Sequence, residues 1–207
     1  MARSSRLAAR SSRFRPEVCS SLVMEFLESI EQFARKAHGD QQRKYEPGPY
    51  IIHLVRVKNI CLEYVNDEVV AAAALLHDVL EDTPVTKKDL LEFLEPLAGS
   101  RARKILDLVV ELTDIYTKAN YPQWNRRKRK AKEAERLGQT SPEAQTIKYA
   151  DILDNSTTIS NAEDDFVYVY LAEARTLMKS MQKGNPALRI RVLESVNKSI
   201  DTLKNGS

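Results

Sequence analysis

The sequence predicts an all-α protein, and three observations carry that expectation. Apolar residues recur at intervals of three and four from Ser21 onward. Only six glycines occur in 207 residues, and strand-like alternation is scarce. Helix-start signals punctuate the chain at Asp67, Thr86, Ser141-Pro142 and Asn185-Pro186.

Leu22, Phe26, Ile30, Phe33 and Ala37 share one face of a first helix, which ends near Gly39. A polar loop follows, holding Arg43-Lys44 and the turn Pro47-Gly48-Pro49. A second helix runs from about Tyr50 to Tyr64. Asn66 or Asp67 caps a third, Glu68 to about Asp82, which is apolar nearly all round and therefore central. Pro84 ends it. Thr86 and Asp89 have capping-box spacing and open a fourth helix; Gly99 precedes a fifth, Arg101 to about Thr113. Tyr116 to Asn125 reads as a loop, and Arg126 to Leu137 as a charged helix. Ser141-Pro142-Glu143 starts the helix that carries Ala150, Asp151, Asp154 and Asn155. Helices over about Asp164–Gln182 and Pro186–Leu203 complete the series. No internal repeat and no linker interrupts the chain after residue 20, so one domain over 21–207 is expected.

The formal charge of +3 misdescribes the body of the protein. Arg3, Arg6, Arg10, Arg13 and Arg15 precede the first acid, Glu17. Without those five, the 32 basic residues fall to 27 against 29 acids, a net of −2. Residues 1–20 read as a disordered or non-native basic extension, and their composition also suits an organelle transit peptide. The near-neutral remainder gives no general argument for nucleic-acid binding. The basic run Arg126–Lys130 follows Tyr121 and Trp124, but Glu133 and Glu135 interleave with its continuation. It suits a solvated helix face or a grip on polyphosphate better than a nucleic-acid surface. The longest apolar run, Val69–Leu76, is far short of the roughly 18 residues that span a membrane. Two isolated cysteines, Cys19 and Cys61, fit a reducing compartment, hence a cytoplasmic protein. The sequence leaves the oligomeric state open.

The chemistry concentrates around three histidines, His38, His53 and His77, all within the first 80 residues. The apolar third helix runs into His77-Asp78-Val79-Leu80-Glu81-Asp82. If the helix continues, His77 lies over Glu81 and Asp78 over Asp82. Burying such groups is costly unless a cation or partners compensate them. His53 stands among Ile51, Ile52, Leu54 and Val55. Asp151 is flanked by Ala150 and Ile152, with Asn155 one turn on. Taken singly, each segment also suits ordinary structure: a polar helix end, a core histidine, a solvated acid.

Taken together, a His, a His-Asp pair about 24 residues later and an Asp about 70 residues beyond that resemble the ligand order of HD phosphohydrolases. The runs Ala34-Arg-Lys-Ala-His38, Arg43-Lys44, Pro49-Tyr50-Ile-Ile-His53, Ala74-Leu-Leu-His-Asp78, Glu81-Asp82-Thr83, Val85-Thr86 and Lys148-x-Ala-Asp151 are similar to the hydrolase domain of RelA/SpoT enzymes. They resemble above all its free-standing form, the small alarmone hydrolases, over roughly residues 25–180. The resemblance implies a single HD-domain bundle of about eight to ten helices. It implies one divalent metal, Mn²⁺, on His53, His77, Asp78 and Asp151, with Glu81 and Asp82 handling the attacking water. It implies Arg43, Lys44, Asn155 and Tyr170 at the substrate, a small-molecule nucleotide (ppGpp or pppGpp), and a supporting role for His38. The family usually has Asn before and Pro after the first metal histidine; here they are Ile52 and Leu54. Three readings stay open: alarmone 3′-pyrophosphohydrolase, another HD phosphohydrolase acting on a nucleotide or dinucleotide cofactor, and a non-catalytic alarmone-binding module.

Overall fold

A computed structural model describes residues 16–159 and 166–205. The basic start before Pro16 and the expected helix start at Asp164 lie outside the described residues. Ten α-helices and one 3₁₀ turn (Gly99–Arg101) occur among the described residues, with no strand. The helices are α1 (Pro16–His38), α2 (Ile51–Tyr64), α3 (Glu68–Leu76), α4 (Val79–Asp82), α5 (Lys87–Ala98), α6 (Ala102–Leu112), α7 (Arg126–Leu137), α8 (Pro142–Ile159), α9 (Phe166–Ser180) and α10 (Pro186–Asn205).

α3 is the axis of the bundle. Every residue from Val69 to Leu76 is buried, and the helix packs against α1, α2, α6 and α8. Its run of four alanines lets those neighbours approach closely, while Leu75 and Leu76 fill the space at its end. Each fully buried Leu or Val stabilises the fold by roughly 1.5–3 kcal/mol. Asp67 fixes the start, accepting from the Val69 and Val70 amides at 2.8 and 3.4 Å. The Thr86–Asp89 capping box forms as its spacing predicts. Asn125 caps α7, and Asn185 Oδ1 accepts from the first amides of α10. Gly39 ends α1 at φ +53°, the left-handed conformation that glycine adopts without strain.

One boundary differs from the expectation: the third helix is not continuous to Asp82. Asp78 stands at φ −97°, ψ −5°, at the edge of the helical region, and α3 and α4 are separate helices. His77 and Asp78 meet at this break, with His77 Nε2 and Asp78 Oδ2 3.0 Å apart.

The α9–α10 turn locks onto α8. The buried Tyr149 hydroxyl donates to the Met181 carbonyl at 2.9 Å, and Gly184 lies directly against the Tyr149 ring. A Cβ at position 184 would stand 2.5 Å from Tyr149 Cε2 and 2.9 Å from the Thr146 amide nitrogen. Gly184→Ala is therefore expected to destabilise the protein by about 1–3 kcal/mol. Thermal unfolding followed by circular dichroism should show a midpoint lowered by roughly 3–10 °C.

Candidate active site

Three helices and the α3–α4 break converge on one buried point. α2 brings His53, the end of α3 brings His77, the break brings Asp78, and α8 brings Asp151. His53 and His77 are 0% and 2% exposed. His53 Nε2 is 3.2 Å from Asp151 Oδ1 and 3.8 Å from Asp78 Oδ2. His77 Nε2 is 3.0 Å from Asp78 Oδ2 and 3.9 Å from Asp151 Oδ1.

The other nitrogen of each imidazole is already engaged. His53 Nδ1 pairs with Asp154 Oδ2 at 2.7 Å, and His77 Nδ1 with the Ala74 carbonyl at 2.8 Å. Those partners call for a proton on Nδ1 and leave each Nε2 lone pair turned toward the shared point. Neither Nε2 makes a hydrogen bond there, although both are buried. Two orphaned imidazole nitrogens facing carboxylate oxygens fit a divalent cation. His53, His77 and Asp151 offer ligand atoms that all lie within 4.8 Å of one another.

The charges are mutually balanced. Burial would depress the pKa of His53, but the carboxylates of Asp151 and Asp154 outweigh it and, with no cation beside the ring, raise it to about 9, so that a proton holds the Nε2 position a metal would take. Burial would raise the two aspartates, yet His77 beside Asp78 and Lys148 beside Asp151 hold both below the usual carboxylate range. Tyr50 donates to Asp78 Oδ2 at 2.6 Å; burial and that negative charge push its phenol upward, so it stays a neutral donor.

A cavity of about 920 Å³ opens over this point, large enough for a nucleotide. Glu81 and Asp82 both line it. By surface area the Glu81 side chain is exposed at the cavity. Burial and the neighbouring Asp114 raise its pKa to about 7, against the opposing pull of Lys148. Its Oε2 accepts from the Asp114 amide at 3.2 Å. Asp82 accepts from Gln41 Nε2 at 3.1 Å, and Gln41 Oε1 in turn meets His38 Nδ1 at 2.7 Å. His38, stacked on Tyr50 with ring centroids 4.7 Å apart, thus braces the site from behind.

The four residues expected at the substrate divide into two pairs. Asn155 and Tyr170 line the cavity. Asn155 Nδ2 also donates to Asp151 Oδ1 at 2.5 Å. Arg43 and Lys44 do not line it. The Arg43 side chain is 9% exposed and spans Glu46 (3.1 Å), Asn155 (3.1 Å) and Asp154 (3.4 Å) behind His53. The Lys44 ammonium lies over the rings of Tyr45 and Phe166, at 4.6 and 5.1 Å. From the basic run, Arg126, Arg127 and Lys130 reach the cavity wall. Arg126 pairs with Glu173 at 2.7 and 2.8 Å, and Lys130 with Asp114 at 3.2 Å. Lys128 instead covers Trp124.

Sequence reasoning gave no role to Asp154, Lys148, Tyr50 or Asp114. A signal existed for the first two: they lie three residues on either side of Asp151, on one helical face.

Comparison with known proteins agrees with this geometry. A family model described as HD domain matches residues 31–192. The human and mouse proteins named guanosine-3′,5′-bis(diphosphate) 3′-pyrophosphohydrolase MESH1 are each 33% identical over 176 residues, covering 81% of this chain and 90% of theirs. A like-named Aquifex aeolicus protein is 34% identical over 135 residues, and this chain spans 18% of its length. A solved structure described as a metazoan ortholog of SpoT that hydrolyzes ppGpp superposes with a TM-score of 0.67 at 29% identity. It covers 86% of this chain and 95% of that one. A Listeria monocytogenes protein with a TM-score of 0.57 at 24% identity shares the fold. With its His, His-Asp and Asp brought to one buried point and the family model matching most of its length, the chain belongs to the HD-domain family.

Proposed function

We propose that this chain hydrolyses the 3′-pyrophosphate of ppGpp and pppGpp, releasing pyrophosphate with GDP or GTP. The observation that carries the reading is the pair of orphaned histidine nitrogens, set beside two carboxylates on the floor of a nucleotide-sized cavity. The names of the relatives that match over most of their length support the substrate. Residues His53, His77, Asp78 and Asp151 would hold one divalent ion, Mn²⁺. When bound, it supplies positive charge for the attacked phosphoryl group and acidifies water.

The chain's own residues then divide the work. Glu81 takes the proton of the attacking water; a carboxylate near pKa 7 is well matched to a base working at neutral pH. The water oxygen bonds to the phosphorus carried on O3′, the O3′–P bond breaks, and the proton passes to O3′. Asp82, held by Gln41, orients the water. Asn155 keeps Asp151 turned toward the imidazoles, and Tyr170, half-buried with its phenol raised and so neutral, offers a hydroxyl to the nucleotide. Arg43, with Lys44 beside it, favours anionic substrate through its field while bracing Asp154. We place the activity in the cytoplasm; the free, buried Cys61 thiol suits a reducing compartment. No helix among the described residues is long and apolar enough to cross a membrane.

The direct test incubates metal-stripped protein with ppGpp, with and without Mn²⁺, and follows GDP and pyrophosphate by ion-exchange chromatography. Mn²⁺-dependent release of both is expected; no release with metal bound would refute the assignment. Asp78→Ala should lose metal and turnover together. Glu81→Gln should keep the metal and lose about 10²–10⁴-fold in kcat.

The base role also fixes a pH dependence. Glu81 acts only when ionised, so kcat should rise with pH through about 7. Asp114 is the neighbouring charge that raises it, so Asp114→Asn should move this acid limb to lower pH. An unshifted limb in a log kcat profile would remove Glu81 from the role.

Asp154 is assigned to positioning. By accepting from His53 Nδ1 it holds the ring and increases its basicity toward a metal. Asp154→Asn should weaken Mn²⁺ binding about 10–100-fold in calorimetric titration.

A further inference from the structure

The cavity floor is strongly acidic. Asp78, Glu81, Asp82, Asp114 and Asp151 all line it, and the substrate proposed above is itself a polyanion. One dication does not offset such a set, so a fixed cation is needed among the carboxylates. Arg126 and Lys130 are engaged by Glu173 and Asp114. Arg127 stands on α7, apart from the floor.

Lys148 meets the requirement. It rises from α8 one turn before Asp151 and lines the cavity, with its side chain 18% exposed. Its Nζ lies 2.8 Å from Asp151 Oδ2, the oxygen that neither faces the imidazoles nor accepts from Asn155. An ammonium has three donors, and the pair with Asp151 occupies one.

We propose that Lys148 is a further catalytic residue, donating from Nζ to a non-bridging oxygen of the substrate's pyrophosphate group while Asp151 holds it in place. This rests on the phosphohydrolase reading of the site. It assigns the attacked pyrophosphoryl group, released as pyrophosphate, to the α8 side of the cavity, between Asp151 and Glu81. A fixed cation there stabilises negative charge on the pyrophosphoryl oxygens as water attacks. The strut alternative is that Lys148 only keeps Asp151 in position.

The test uses inorganic pyrophosphate, so it does not depend on turnover. Protein is loaded with one equivalent of Mn²⁺, freed of excess ion by gel filtration, and titrated with pyrophosphate calorimetrically. Mn²⁺ binding is measured separately. Lys148→Gln should weaken pyrophosphate about 10–100-fold, as expected for loss of a charge-assisted hydrogen bond. Its Mn²⁺ affinity should stay within about threefold, and Lys148→Arg should recover most of the loss. Lys148→Met, which keeps the aliphatic stem, replaces Gln if circular dichroism shows that variant unfolded. Unchanged pyrophosphate binding in the neutral variant, or a loss that disappears at saturating Mn²⁺, overturns the proposal, as does a wild type that binds no pyrophosphate. A wild type that binds pyrophosphate through Lys148 yet leaves ppGpp intact overturns the substrate assignment alone.

Discussion

Two imidazoles and two carboxylates meeting at the buried base of a cavity are the constraint on which the rest of this structure depends. Such groups carry a large desolvation cost, and no single partner removes it. The chain distributes the compensation instead. Tyr50 donates to Asp78, Lys148 and Asn155 hold Asp151, Asp154 holds His53, and the Ala74 carbonyl holds His77. Behind them Arg43 ties Asp154 to Asn155 and Glu46. The partners of the imidazoles and Lys148 engage atoms that face away from the shared point, Tyr50 and Asn155 donate to the carboxylate oxygens that face it, and both imidazole Nε2 atoms stay open. A polar network arranged this way is costly to build and chemically useful because it stops short of satisfying itself.

The helices serve that arrangement. α3 has to be buried all round for its last residue to lie at the centre of the bundle, and its alanines let α1, α2, α6 and α8 close around it. At the break between α3 and α4 two successive side chains, His77 and Asp78, meet at one place. α8 brings a whole face to the site rather than a single ligand: Lys148, Asp151, Asp154 and Asn155 repeat at three and four residues and all touch it. The Gly184 contact with Tyr149 fixes the far side of α8, so packing distant from the site still sets where that face points.

Much of this is legible in the sequence because the governing signals are local. Periodicity gave the helices, and Asp67, Thr86 and Asn185 cap where their types and spacing say they should. The order of His53, His77-Asp78 and Asp151 pointed to one site. The break after Leu76 was not legible, because nothing between Val69 and Asp82 is a helix breaker. Arg43 shows a second limit. A basic pair in a polar loop suggests contact with phosphate, yet the buried Asp154, 111 residues away, already claims its guanidinium. Only the folded chain reveals that competition.

That competition changes how anion recognition is apportioned. Arg43 acts through its field from behind the histidines, where its charge also offsets Asp154 and limits how far the metal-facing groups repel substrate. On the proposed reading, direct contact would fall to groups that line the cavity: Lys148 on α8, Arg126, Arg127 and Lys130 on α7, and Tyr170 on α9. Two of the α7 cations have acidic partners on the same wall, Glu173 and Asp114. An entering phosphate must compete with those carboxylates, so pairing there screens the wall against weakly charged ligands and rewards highly charged ones. Asp114 carries a further consequence, because it also faces Glu81. The charge that partners Lys130 on the wall is the same charge that raises the base, so substrate binding on α7 and proton transfer on α4 share one carboxylate.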